Sequence, residues 1–434
     1  MSDAGVLPAP AGGARALPRG TRILFVADGR SPIARNWIEH FVARGDEVHL
    51  VSTFPCEAGS LRLAGLHVLP VAFARFAGGN VGRGAAPASA GRAAALTRNL
   101  RARAVAAAFP TVFGWLAPAT LGSHARRLRE LVLQIRPEVV HALRIPYEGI
   151  VAAEALAGTA YPLVVSVWGN DLELWAERYP LVGRFTRRAL ARATALHPDC
   201  ARDLHLAEQW GWNPERPSAV LPGNGGIRRD VFHPGPPDAE VARRHALPAG
   251  GPLVLNARGF RAYVRNDTFF RSIPRVLERR PEAVFAAVGM QGDPRAERWI
   301  RDLGIGHAVR LLPRVAPAEM AALLRLSTAA VSPSEFDGTP NTLLEAMACG
   351  AFPVAGDIAS VREWITDGQN GLLCDPADPA ALAAALLRAL GDEPLRRGAA
   401  ERNAALVAER ADFAEVMRRA EAFYARVVNE ALPG

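Results

Sequence analysis

Short apolar runs alternate along the chain with stretches whose apolar positions recur at helical spacing, the pattern of a parallel α/β sheet. RILFVA (residues 22–27) reads as a buried strand. In ARNWIEHFVAR (34–44), Trp37, Ile38, Phe41 and Val42 share one helical face, and Gly45 ends the helix. DEVHLV (46–51) is the next strand, which completes a βαβ unit. VVHA (139–142), LVVSV (163–167) and AVL (219–221) are predicted as further strands.

A second series follows the Gly/Pro-dense stretch PGNGGIRRDVFHPGPP (222–237), which reads as an interdomain linker. Its predicted strands are LVLNA (253–257), AVFAAV (283–288), VRLL (309–312), AAV (329–331) and FPVA (352–355). Helices between them include NDTFFRSIPRVLER and PAEMAALLRL. In DPAALAAALLRAL (378–390), Asp378 is placed to cap the helix, with Pro379 at its first position. The pattern predicts two Rossmann-like halves joined near residue 225. In such sheets ligands bind at the carboxyl ends of the strands, which points to the cleft between the halves.

Composition narrows the function classes. The 434 residues suffice for two domains with sizeable cores, and no apolar run is long enough for a transmembrane helix. Residues 1–20, rich in Ala, Pro and Gly, lack the apolar core of a secretory signal and read as a disordered leader. Four dispersed cysteines without a CxxC pair fit a reducing cytoplasm rather than a disulfide framework or zinc site. All 51 basic residues are arginine, so an anion site here must use guanidinium or backbone N–H groups. Between Glu57 and Glu130 lie ten arginines and no acidic residue, with the apolar FPTVFGWLAP (109–118) among them. Two readings stay open for this stretch: peripheral docking on an anionic membrane, or a flexible loop with a solvated basic helix.

The stretch SEFDGTPNTLLEAMACG (334–350) carries the chemistry. It follows a predicted strand and runs from a Gly-containing loop into a helix, whose unpaired N–H groups and positive end suit an anion. Asp337 on the loop and Glu345 inside the helix flank that end, and two carboxylates suit the vicinal hydroxyls of a polyol. Phosphate and polyol together describe a nucleotide sugar. A second reading is purely structural: Thr342-x-x-Glu345 matches a capping box, in which Glu345 satisfies a backbone N–H.

Residues 332–386, from SPSEFDGTPNTLLEAMACG through DGQNGLLCDPADPAAL, resemble the C-terminal signature of family-4 glycosyltransferases, retaining enzymes of the GT-B fold. DEVHLVS, PEVVHA and VLPGNGGIRRDVFHP resemble further motifs of that family in the same order. The resemblance implies two Rossmann-like domains facing each other across a cleft. Residues 21–225 would form the acceptor domain and 226–410 the donor-nucleotide domain, with a helix over 411–434 packing back on the first. The family's paired acids fall on Asp337, for hydroxyls of the transferred sugar, and Glu345, for the ribose. The loop Gly338, Thr339 and Pro340 leads to the amides of Asn341, Thr342 and Leu343, which would face the diphosphate. Arg258 in LNARGF, and Arg265 in place of the usual lysine, would neutralise the leaving nucleoside diphosphate. The base would lie near Arg314 and Val315.

Three departures from the family pattern stand out. Asp337 replaces the usual glutamate. Trp168-Gly169-Asn170-Asp171 replaces His-Gly-x-Asp on the acceptor side, and DGRSPIARN replaces the Gly-Gly loop after the first strand. The resemblance implies a metal-independent transferase with no cofactor beyond its nucleoside-diphosphate sugar. The expected acceptor is a glycan or lipid-linked sugar at the cytoplasmic membrane face, in bacterial surface polysaccharide or glycolipid synthesis. Two rivals remain: a catalytically silent sugar-nucleotide-binding scaffold, and a GT-B-fold epimerase using Asp171. The absence of GxGxxG, Asp-x-Asp, GxSxG, P-loop and zinc-spaced motifs argues against dehydrogenase, metal-bridged transferase, hydrolase, NTPase and zinc chemistry, and no nucleic-acid partner is expected.

Overall fold

The computed structural model describes residues 16–71, 120–248, 250–261 and 263–431. Most of the basic acid-free stretch, and residues 1–15 of the predicted leader, lie outside the described residues. The chain forms two units: the described residues up to Asn224 together with those from Arg418 onward, and Gly225–Met417.

The first unit holds six parallel strands, β1 (Arg22–Ala27), β2 (Glu47–Ser52), β3 (Gly65–Val68), β4 (Val139–Ala142), β5 (Leu163–Val167) and β6 (Ala195–Pro198). They run in the order β3-β2-β1-β4-β5-β6. The second unit repeats this arrangement with β7 (Leu253–Asn256), β8 (Val284–Val288), β9 (Val309–Leu312), β10 (Ala329–Ser332), β11 (Phe352–Gly356) and β12 (Leu372–Cys374), ordered β12-β11-β10-β7-β8-β9. In each sheet the strand order reverses at the middle, between β1 and β4 and between β7 and β10. Loops leaving adjacent strands there part to opposite sides, which opens a crevice at the strands' carboxyl ends.

Helices on both faces explain why the central strands read as unbroken apolar runs. Leu253 and Leu255 enter one core and Val254 the other; Ala286 and Val288 alternate with Phe285 and Ala287 in the same way. The first helix, Pro32–Arg44, begins two residues earlier than expected because Ser31 caps it and Pro32 supplies the first position. Its C-terminal Gly45 adopts φ 91°, and its N–H bonds the carbonyl oxygens of Phe41 and Val42. Asp378 caps Pro379–Gly391 through a 2.7 Å bond from the Ala380 N–H. One expectation fails: AVL (219–221) is not a strand of the sheet. Ala219 and Leu221 hydrogen-bond alongside β6, joined to it by a single bridge between Leu196 and Ser218.

Adjacent strands of the first unit carry buried polar residues that bond to one another, His141 on β4, Ser166 on β5 and His197 on β6. They form a chain with Trp37 and Tyr424 whose direction is fixed at both ends. Trp37 Nε1 can only donate, and does so to Tyr424 Oη at 3.0 Å. The Leu221 carbonyl can only accept, and takes His197 Nε2–H at 3.1 Å. His197 Nδ1 must therefore accept from Ser166 Oγ–H at 2.9 Å. Ser166 in turn accepts from His141 Nε2–H at 2.9 Å, and His141 Nδ1 accepts from the Tyr424 hydroxyl. Both imidazoles, kept neutral by burial, are consequently Nε2–H tautomers. Burial pushes His141 well below its ordinary pKa and His197 down to about 4. Nearby, Glu421 accepts from His40 Nε2 at 2.7 Å, a second tie between the last helix (Phe413–Ala431) and the first.

Among the described residues, no helix is long and apolar enough to cross a membrane.

Candidate active site

The second unit brings the residues implied by the family resemblance together at the β7/β10 switch point. Arg258 leaves β7 two residues after its end, and Asp337 lies on the loop leaving β10. The two loops are pinned to each other. Arg265 N–H bonds the Pro333 carbonyl at 2.9 Å, and Glu335 N–H bonds that of Tyr263 at 2.9 Å. Across this seam Arg258 Nη2 donates to Asp337 Oδ2 at 2.5 Å and Nη1 to Thr342 Oγ1 at 3.2 Å. The ion pair is largely desolvated, with side chains 10% and 14% exposed, so its partners hold each other strongly until something polar replaces one of them. Asn256 Oδ1 orients the arginine by accepting its N–H at 3.0 Å, and Asn266 holds Asn256 at 3.0 Å.

The helix Asn341–Cys349 begins at this ion pair. Its N-cap position is Pro340, with no side-chain cap, so the capping-box reading of Thr342 and Glu345 does not hold. Thr342 lies inside the first turn with its hydroxyl facing Arg258. The Leu343 N–H turns back to the Pro340 carbonyl at 2.9 Å, while the Asn341 and Thr342 N–H groups have no bond within the described residues. Gly338, Thr339 and Pro340 are buried beneath the turn. Arg258 Nε and Asn341 Oδ1 are buried without a hydrogen-bond partner among the described residues, an unusual state for polar atoms.

Glu345 points from the next turn. Burial raises its carboxyl to about 7, and the positive charge of Arg258 works against that rise. Near neutral pH it can both donate and accept, a property suited to hydroxyl partners. Arg265 is engaged elsewhere: Nε and Nη2 bond Asp267 at 2.9 and 3.0 Å, and Nη1 bonds Glu335 at 2.6 Å. Those bonds raise its pKa further, and the three-residue group sums to one negative charge. The stem of Arg314 lies over Gly289, a glycine at φ 74° adjacent to Gly259 at φ 61°, so it flanks the Arg258 loop. Arg314 is exposed, and Val315 packs against the core.

In the first unit the Trp168–Asp171 turn follows β5. Asp171 is completely buried, which raises its pKa, with Arg144 opposing. Both its oxygens are occupied: Oδ1 accepts Arg144 Nε at 2.8 Å and Oδ2 the Trp168 N–H at 3.0 Å. Asp171 thus clamps the turn, and Gly169 lends its carbonyl to Arg202. The Trp168 ring lines a cavity of about 200 Å³ that also touches Asp28, Ser31, Thr53, Arg144, Tyr147 and Glu148. Arg144 sits there at φ 132°, a strained backbone for a non-glycine residue, held by Asp171 and by Asn170 Oδ1 at 3.0 Å.

Glu148 escaped the sequence reading. It lies in the wide helical turn Ile145–Gly149, buried, and burial raises its carboxyl to about 7. Thr53 Oγ1 donates to it at 2.6 Å. The signal was available: a lone carboxylate within an apolar run, as at Glu345.

Two doubly wound domains of identical strand order, with charged and polar side chains gathered at the switch point of each, define the GT-B class of glycosyltransferase folds. Residues 238–405, most of the second unit, match the family model described as "Glycosyl transferases group 1". Over 196 residues the chain is 31% identical to a D-inositol 3-phosphate glycosyltransferase of Frankia alni, covering 43% of this chain. The matched stretch spans 47% of that relative, about half its length. The whole fold is similar to sucrose-phosphate synthase from Thermosynechococcus elongatus, with a TM-score of 0.72, 16% identity, and coverage of 94% of this chain and 100% of that one. It is also similar to Anabaena HepE in complex with UDP-glucose, with a TM-score of 0.66, 15% identity, and coverage of 92% and 98%.

Proposed function

We propose that the protein is a retaining glycosyltransferase that moves a sugar from a nucleoside-diphosphate donor to a hydroxyl acceptor. The observation that carries this reading is the meeting of Arg258, Asp337, Thr342 and Glu345 at the start of the Asn341–Cys349 helix. In this reading the diphosphate displaces Asp337 from Arg258 and takes the Asn341 and Thr342 N–H groups. The released Asp337 then accepts hydroxyls of the sugar, and Glu345 holds those of the ribose. As the anomeric C–O bond breaks, its electron pair passes to the diphosphate oxygen, where Arg258 and the helix amides stabilise it without a metal or other cofactor. Arg265, already sharing its charge with two carboxylates, adds a weaker second positive centre, and Arg314 with Val315 borders the base. The acceptor hydroxyl attacks from the same face, and its proton leaves on the departing phosphate. Trp168 and Gly169 border the acceptor, and Asp171 fixes their turn.

The reading extends to a glycan or lipid-linked acceptor in bacterial surface polysaccharide or glycolipid synthesis, with the acid-free basic stretch touching the cytoplasmic face of an anionic membrane. Its test is a thermal-shift panel of UDP-, GDP-, ADP- and TDP-sugars on the wild type and Glu345→Ala. UDP-sugars lead the panel because HepE was solved with UDP-glucose. A donor at 100 times its Kd adds about 2.7 kcal/mol of stability. Stabilisation of the wild type by one base class, lost in the variant, is expected. A folded wild type that no donor stabilises refutes the reading.

A further inference from the structure

The cavity of the first unit has a composition that selects its occupant. Its walls come from the loops after β1 (Asp28, Ser31), β2 (Thr53, Phe54), β4 (Arg144, Pro146, Tyr147, Glu148) and β5 (Trp168), at the β1/β4 switch point. At about 200 Å³ it is smaller than the roughly 300–1,000 Å³ of sites for drug-sized ligands, so it suits one ring and not a whole nucleotide sugar. Phe54, Pro146, Tyr147 and Trp168 offer flat apolar surface of the kind that packs on the C–H face of a ring.

The charges of the described lining disfavour a phosphate. Two carboxylates line the cavity, Asp28 and Glu148, against one guanidinium, Arg144. Arg144 is engaged by Asp171 and Asn170. The neighbouring arginines are engaged too. Arg30 pairs with both oxygens of Asp28 at 3.0 Å, and Arg35 donates to the carbonyl oxygens of Gly29, Glu57 and Ala58. A phosphate entering here would meet carboxylate with no uncommitted cation among the described residues that line the cavity. Glu148 differs from Asp28: Oε1 accepts the Thr53 hydroxyl, and among the described residues no arginine bridges the carboxyl.

We infer that this cavity binds an unphosphorylated polyol ring, the acceptor sugar or cyclitol, and that Glu148 is the residue that grips its hydroxyls and sets this preference. The inference rests on the transferase reading and separates this chain from relatives named for inositol 3-phosphate.

The test measures binding to the full chain, with and without UDP, by saturation-transfer NMR. The probes are glucose, galactose, mannose and myo-inositol, each against its monophosphate. At least one neutral ring should bind the wild type, its monophosphate should not compete, and Glu148→Gln should weaken binding about ten-fold or more. Glu148→Asp, which retracts the carboxyl by one methylene, should weaken it as well and serves if the amide variant does not fold. In turnover with the donor found above, acceptor KM should rise in these variants while donor KM stays, a split that a merely structural residue would not give. Equal binding by Glu148→Gln, tighter binding of the monophosphates, or no binding by any neutral ring overturns the inference. UDP-sugar stabilisation is read separately, so failure here and failure of the transferase reading are distinguishable.

Discussion

Replacing Tyr424 by Phe removes one oxygen atom from the middle of the directional chain that runs from Trp37 to Leu221. Two buried groups lose their partner at once: among the described residues, Trp37 Nε1–H has no other acceptor, and His141 Nδ1 has no other donor. Neither can be rescued by a tautomer change, because His141 Nε2–H is needed by Ser166, whose proton is needed by His197. A buried group left unsatisfied costs about 1–3 kcal/mol, so the variant should lose roughly 2–4 kcal/mol after local relaxation. Urea unfolding measures the loss, and hydrogen exchange of the β4–β6 amides assigns it to the first unit. Trp37→Phe supplies the cross-check. Combined with Tyr424→Phe it should cost less than the sum of the two singles, by about 1 kcal/mol, since the indole N–H orphaned by the tyrosine change is then absent. A loss under about 0.5 kcal/mol, or strict additivity, would refute the directional chain.

The same chain carries a pH signature. His197 titrates near 4 in the fold and near 6.5 unfolded, so its contribution is complete above about pH 6.5 and is lost as pH falls toward 4. The loss is about 1.4 kcal/mol per pH unit, roughly 3 kcal/mol in all. Glu148, Asp203 and Glu345, each raised to about 7, act in the opposite sense, their contribution lost as pH rises toward 7. The check is therefore the stability difference between wild type and His197→Gln, which should narrow from pH 7 to pH 4; a constant difference argues against a buried neutral imidazole. At the proposed donor site, Arg258→Ala should lower kcat/KM about 10²–10³-fold, and a fall below five-fold would remove Arg258 from the proposed leaving-group role. In the loop after β1, a Cβ at Gly29 would lie 2.5 Å from Cys56 Sγ and 2.8 Å from Ser52 Oγ. Gly29→Ala should cost about 1–3 kcal/mol, partly recovered by Cys56→Ala, and unchanged melting would show that the loop yields freely.

Much of the architecture was legible because it is written locally. RILFVA, VVHA and LVVSV are buried on both faces, and Ser31-Pro32 and Asp378-Pro379 announce helix starts in consecutive residues. β3, β6 and β12 escaped notice since they are three or four residues long and carry histidine, proline or cysteine among few apolar positions. AVL looked like a strand on composition alone, yet it runs beside the edge strand β6, where only one neighbour offers hydrogen bonds.

The sequence by itself determined the two sheets, the helix entry at Asn341 and the carboxylates at 337 and 345, because spacing over a few residues dictates periodicity, caps and turns. It left open whether Glu345 was a cap; the structure puts Pro340 at the N-cap and turns the Thr342 hydroxyl to Arg258, 84 residues away. Only the tertiary structure showed that Asp171 is closed off by Arg144, that Glu148 meets Thr53 across 95 residues, and that Tyr424 joins His141 across 283. Such pairings follow from strand order, and strand order is set by how helices cover both faces of a sheet. That balance belongs to the whole domain and is not recorded in any short stretch of chain.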